Sequence, residues 1–73
     1  MDIHEIFTYH KPFGSQPDRY VAIREKAKEL ATLVMSACPD SRERSVALTN
    51  LQQAVMWANA SIAINELDPE RIV

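Results

Sequence analysis

The chain has 73 residues, of which 47% are hydrophobic and 25% charged, with one glycine and one cysteine. This length allows one small domain, which buries too little apolar surface to be comfortably stable alone, so we expect self-association. A formal net charge of −2 disfavours a binder of DNA or RNA polymers. Cys38 has no partner for an intramolecular disulfide, which favours a reducing, cytosolic setting. We expect a soluble, unprocessed chain without a membrane partner, because no apolar run approaches ~20 residues and no signal peptide is apparent.

Residues 1–16 are predicted to form an N-terminal arm, with a short helix from Asp2 to about Phe7. Pro12 and Gly14 then interrupt regular structure. A long helix is predicted over residues 17–37. Its start carries Pro17 and an acid, which suit a first turn, and Pro39 ends it. Its apolar residues recur at alternating spacings of three and four: Tyr20, Ile23, Ala27, Leu30, Val34 and Ala37.

A second long helix is predicted over residues 41–66, capped by Asp40 or Ser41, and Asp40 with Glu43 has the spacing of a capping box. Its apolar stripe is Leu48, Leu51, Val55, Ala58 and Ile62. Because the loop between the two helices is short, they must fold back on each other. The sequence therefore predicts an all-α fold, an antiparallel two-helix hairpin, followed by a loose tail over residues 67–73.

The second helix has a further apolar face. Trp57 and Ile64 lie about 140–160° from its stripe at 100° per residue, and residues 54–64 are apolar nearly all round. Such a face usually marks an interface. In the alternative, a short helix containing Ile3, Ile6 and Phe7 covers it.

Catalytic and metal-binding patterns are absent from the sequence, which predicts a protein that is not an enzyme and needs no cofactor. His4 and Glu5 begin like the zinc motif HExxH, but Thr8 stands where the second histidine is required. A single glycine excludes a phosphate-binding glycine loop.

Binding residues are present instead. The arm offers the flat rings of Tyr9, His10 and Phe13, and the first long helix offers the cations Arg24, Lys26 and Lys28. Rings stack on bases and cations meet phosphates, so this combination suits a nucleotide. Arg24 and Lys26 lie about 80° to either side of the apolar stripe, where they could flank a groove. The alternative is that the cations simply solvate the helix.

Arg42 and Arg44 stand in the first turn of the second helix, where the helix dipole prefers acids. They could hold an anion together with the exposed amides. Alternatively, they pair with Asp40, Glu43 or a neighbouring chain.

Three stretches of the sequence resemble one known family. They are residues 41–51 (SRERSVALTNL) with 54–63 (AVMWANASIA), the element Tyr9-His10-x-Pro12, and residues 23–31 (IREKAKELA). Together they resemble the small phage anti-CBASS sponge proteins over about residues 7–66. The resemblance implies a homohexamer that binds cyclic oligonucleotide second messengers without cleaving them. It thereby blocks the activation of CBASS effectors in the cytoplasm of the infected bacterium.

The resemblance also implies where the ligand binds. Cyclic dinucleotides such as 3′,3′-cGAMP would occupy pockets between protomers, with Tyr9 stacking on a base and with His10 and Pro12 shaping the pocket. A cation of the first long helix would contact phosphate: Arg24, Lys26 or Lys28. Ile64 stands where several relatives carry an arginine that helps to hold cyclic trinucleotides, so a trinucleotide site is left open. The competing hypothesis is a helical adaptor that binds a protein partner through the apolar face of the second helix.

Overall fold

The computed structural model describes residues 3–7 and 11–66, which form three helices. These are α1 (Ile3–Phe7), α2 (Gln16–Ala37) and α3 (Arg42–Asn65). The two long helices pack against each other as a hairpin, which confirms the predicted all-α fold. Their bounds differ by one residue from the predicted 17–37 and 41–66. The predicted tail over residues 67–73 lies outside the described residues.

The closed end of the hairpin is built by local chain chemistry. Cys38 has an extended backbone (φ −111°, ψ 137°), as expected for a residue that precedes proline, and α2 therefore ends at Ala37. Ser41 is the residue that caps α3, since its Oγ accepts a hydrogen bond from the Arg44 amide at 3.1 Å. The capping box suggested by Asp40 and Glu43 is not formed, because Ser41 is the N-cap and the residue three positions after it is Arg44 and not an acid. Asp40 pairs with Arg44.

Arg44 joins the two long helices at this end. Its Nη1 donates to the carbonyl oxygens of Met35 (3.2 Å) and Cys38 (3.3 Å), and its Nη2 lies 3.1 Å from an Asp40 carboxylate oxygen. Its side chain is only 17% exposed. A cation in the first turn of α3 is therefore explained by the end of α2, whose last carbonyls lack helical partners and attract positive charge. For Arg44, the structure supports pairing with Asp40 over the binding of an anion by an unpaired side chain.

The seam between α2 and α3 follows the predicted stripes. All five stripe residues of α3 are half-buried. In α2, two of the six predicted stripe residues are exposed, Leu30 (48%) and Ala37, whereas Ala31 is half-buried although it lies outside the predicted stripe. The reason is that the packed face of α2 is rotated slightly from the mean direction of its apolar residues, which moves Leu30 to the edge of the seam.

The hairpin has no buried apolar core in its described part, where Gln16 is the one buried residue. The molecule measures 51 × 25 × 13 Å, so it is a single layer of helices. A stable domain normally needs a second layer to cover the apolar faces of the first. Trp57 is 73% exposed and Met56 is 62% exposed. The apolar back of α3 therefore faces outward in the single chain.

The alternative in which α1 covers the back of α3 is not supported by the two described side chains that it named, whereas Ile6, the third, lies outside the described side chains. Ile3 is 69% exposed and Phe7 is 83% exposed, so neither side chain packs onto Trp57. Neither long helix is at once long and apolar enough to cross a bilayer, judged over the residues that the structure describes.

Candidate ligand-binding surface

Two grooves run along the hairpin, one on each side of the α2–α3 seam. They share Ala27, Leu51 and Val55, which form the floor between them. The first, here called the Arg24 groove, has a volume of about 350 Å³ and is completed by Arg24, Lys28, Ala31, Leu48, Gln52 and Met56. The second, the Lys26 groove, has a volume of about 490 Å³ and is completed by Ala22, Ile23, Lys26, Leu30, Ala54 and Ala58.

The grooves differ in the state of their cations. Lys26 lies 3.3 Å from a Glu29 carboxylate oxygen, and both side chains are largely exposed. Such an exposed ion pair contributes little stability, so Lys26 can readily bind another anion in place of Glu29. Arg24 and Lys28 form no ion pair with any described residue. The Arg24 groove thus combines an apolar floor, the amide of Gln52 and two cations that have no counter-ion among the described residues.

The predicted cations are therefore separated by the seam. Arg24 and Lys28 belong to one groove and Lys26 to the other, as their helical angles suggested. Within a single chain, a ligand confined to one groove is bordered either by Arg24 and Lys28 or by Lys26. Pro12 is exposed in the segment that leads into α2, whereas Tyr9 and His10 lie outside the described residues. Arg42 is exposed at the opposite end of the hairpin and lines neither groove.

A polar cluster at the open end of the hairpin was not predicted from the sequence. We call it the clasp, and it consists of Gln16, Arg19 and Glu66. Arg19 donates from Nη1 and Nη2 to the two Glu66 carboxylate oxygens at 2.7 and 2.6 Å, and Gln16 Nε2 donates to Glu66 Oε1 at 2.9 Å. A bidentate arginine–carboxylate contact of this kind is the strong form of an ion pair. The available signal was a cation at the start of one helix and an acid at the end of its antiparallel neighbour.

The clasp changes the acidity of its carboxyl group. Hydrogen bonds from Arg19 and then from Gln16 lower the pKa of Glu66 from its ordinary 4.5 to about 2. The carboxylate is favoured because both donors bind the charged form. The same hydrogen bond raises the pKa of Arg19. Glu66 is consequently charged at every physiological pH.

We expect the clasp to stabilise the fold above pH 5 and to lose this effect as the pH falls toward 2. The pKa of Glu66 is lower in the folded protein than in the unfolded chain. The clasp therefore stabilises the fold fully at pH values above the unfolded pKa, and this stabilisation is lost as the pH falls through the folded pKa. Thermal unfolding of wild type and Glu66→Gln at pH 7, 5, 3 and 2 measures it. The difference in melting temperature should narrow across the acidic steps. A constant difference over the whole range would contradict the assignment.

The surface has the chemistry of binding. Both grooves have apolar floors bordered by lysine or arginine, which can hold a base and a phosphate respectively. Among the described side chains, those of residues 3–4, 7 and 11–66, no group of three or more histidine, cysteine, aspartate or glutamate residues is arranged to hold a metal ion. The site is thus an open, cation-bordered helical surface suited to an anionic ligand with flat apolar parts.

A helical hairpin with such a surface defines a class of small ligand-binding proteins. The family model described as "Acb2/Tad1, hairpin domain" matches residues 1–63, and the chain therefore belongs to this family, the phage anti-CBASS cyclic-oligonucleotide sponges. The family's members are binding sponges and not enzymes. Neither the curated proteins nor the solved structures contain a match to this chain.

Proposed function

We propose that this protein is a phage counter-defence sponge that binds and sequesters cyclic dinucleotides, such as 3′,3′-cGAMP, without cleaving them. The observation that carries the proposal is the Arg24 groove, in which two cations without an ion pair to any described residue border an apolar floor in a chain of the sponge family. A cyclic dinucleotide presents two phosphates and two flat bases, which match these two kinds of surface. The protein would act in the cytoplasm of the infected bacterium, where it would withhold the messenger from CBASS effectors.

The proposal includes assembly into a homo-oligomer, which we expect to be a hexamer. Ligand pockets usually enclose most of the ligand's surface. Every residue that lines the two grooves is half-buried or exposed in the single chain, so one hairpin offers a floor and no roof. A second protomer would supply the roof and would also cover the exposed Trp57 and Met56. The arm residues Tyr9, His10 and Pro12 would complete the pocket, with Tyr9 stacked on a base.

Titration calorimetry with 3′,3′-cGAMP, followed by chromatography of the released ligand, tests the proposal directly. We expect tight binding, a fixed number of sites per chain and recovery of the intact messenger. A cleaved product would mean that the protein is an enzyme. The absence of binding across cyclic dinucleotides and cyclic trinucleotides would remove the sponge function for this chain, and binding of trinucleotides alone would reassign the ligand.

Alanine substitutions of the groove cations identify which groove binds the messenger. If the messenger occupies the Arg24 groove, Arg24→Ala and Lys28→Ala should each weaken binding by about 10-fold or more, because a hydrogen bond to a charged group contributes ~1.5–3 kcal/mol. Lys26→Ala should have this effect if the Lys26 groove is used. Arg42→Ala removes an exposed cation remote from both grooves and serves as the control, with less than about 2-fold change. Unchanged binding in all four variants would rule out both grooves as the phosphate site.

The competing function is a helical adaptor for a protein partner. The observation in its favour is the exposed pair Trp57 and Met56, which needs no nucleotide to explain it. The oligomeric state separates the two functions. A sponge that shares its pockets is an assembly in which this face is covered, whereas an adaptor is a monomer or dimer that leaves it free. Light scattering coupled to size-exclusion chromatography measures the difference.

A further inference from the structure

The last residues of the arm are held by Gln16. The backbone N–H of Phe13 donates to the side-chain oxygen Oε1 of Gln16 at 3.1 Å, and the backbone carbonyl of Phe13 accepts from the backbone N–H of Gln16 at 3.0 Å. Both polar backbone groups of Phe13 are thus bound to one residue at the start of α2. Between them, Gly14 has a φ of 57°, a left-handed conformation that glycine adopts at low cost. The tight turn therefore depends on a residue that the sequence supplies once.

Gln16 also binds the other long helix. Its side-chain oxygen is used by Phe13 and its side-chain nitrogen by Glu66, at 2.9 Å. It is 3% exposed, which makes it the most enclosed residue in the described part of the chain. A buried amide whose two ends are both satisfied specifies one arrangement of its partners, because any other arrangement leaves a polar group unpaired. Gln16 therefore links three segments: the arm, α2 and the end of α3.

Arg19 orients the carboxylate to which Gln16 binds. Its two-pronged contact with Glu66 locks the position of both carboxylate oxygens, so that Oε1 is already in place for Gln16. At the other end of the hairpin, the chain itself connects α2 to α3, and hydrogen bonds of Arg44 and Ser41 stabilise that connection. At the open end the clasp takes the place of a covalent turn.

We propose that the clasp is a positioning device for the ligand, which fixes Pro12 and Phe13 against the start of α2, the helix that carries the cations of the grooves. Pro12 directly precedes the clamped Phe13, and the sequence carries Tyr9 and His10 a few residues earlier. Gln16 stands two turns before Arg24 on α2. This inference rests on the proposed sponge function, and it adds Gln16, Arg19 and Glu66 as residues that act without touching the messenger.

Hydrogen exchange and messenger binding together test the proposal. In Gln16→Ala, which cuts the link between the arm and α3, the Phe13 amide should exchange about 10-fold faster while amides in the middle of α2 and α3 keep their protection. The affinity for 3′,3′-cGAMP should fall about 10-fold through a slower association rate, since only the fraction of molecules with a placed arm binds. The number of sites per chain should not change.

Glu66→Gln provides a second cut that keeps the shape of the side chain, and it should give the same pattern with a smaller effect. Arg19→Lys should retain more affinity than Arg19→Ala, because one charged donor remains. Asp40→Asn is the matched control. It removes a carboxylate charge from an ion pair at the opposite end of the hairpin, where Asp40 is 91% exposed, and it should leave both readouts unchanged.

Each contrary result has a distinct meaning. If the wild-type protein binds the messenger and Gln16→Ala and Glu66→Gln bind it equally tightly, the positioning role is overturned and the sponge function stands. Loss of protection throughout α2 and α3 would also overturn it, because the clasp would then hold the hairpin and not the arm. No binding by the wild type would remove the sponge function and this inference with it, even if the Phe13 amide responded as expected.

Discussion

Trp57→Asp is expected to dissociate the proposed homo-oligomer and to abolish messenger binding in the same step. The indole is 73% exposed in the single chain, and Met56 beside it is 62% exposed, on a helix whose other face already packs on α2. Large aromatic side chains at the centre of an interface commonly contribute ~2 kcal/mol or more each. An aspartate there would also bury an unpaired charge. Because each protomer of a homo-oligomer carries the change, the losses accumulate.

Size-exclusion chromatography with light scattering measures the dissociation, and calorimetry with 3′,3′-cGAMP measures the binding. Thr49→Asp is the matched control, since it adds the same charge at an exposed polar position of the same helix. It should keep the wild-type mass and affinity. A dissociated Trp57→Asp monomer that still bound the messenger would refute a pocket shared between protomers. An intact assembly would place Trp57 outside the interface.

Tyr9→Ala is expected to weaken messenger binding by about 10- to 100-fold while the assembly stays intact. Stacking of a base on an aromatic ring contributes ~1–3 kcal/mol, and alanine removes the ring without adding charge. The expectation follows from the resemblance of Tyr9-His10-x-Pro12 to the sponge family's pocket. Calorimetry on the wild type and the variant measures the loss, and light scattering verifies the assembly.

Tyr9→Phe is the control that separates stacking from hydrogen bonding. It keeps the ring and should stay within about 3-fold of the wild-type affinity, since stacking and not the hydroxyl contributes most of the interaction. A loss of assembly in Tyr9→Ala would mean that the residue is structural. Equal weakening in both variants would mean that the hydroxyl, and not the ring, contacts the ligand.

The local features of this fold follow from the sequence because their causes are local. Alternating spacings of three and four put apolar residues on one face of each helix, Pro39 requires an extended residue before it, and Ser41 supplies a cap within three residues of the amide that it binds. The angular positions of Arg24 and Lys26 also follow from the helical repeat, and the structure places them in different grooves.

The long-range contacts were decided by the tertiary structure. The clasp joins residues that are 47 and 50 positions apart, Arg19 and Gln16 to Glu66, and it forms only at one register and rotation of α2 against α3. The same rotation leaves Ala31 half-buried and Leu30 48% exposed. Arg44 violates a preference of its own helix because it serves the end of the other one. Helical periodicity specifies which residues share a face, and only the packing of two faces determines which side chains meet across them.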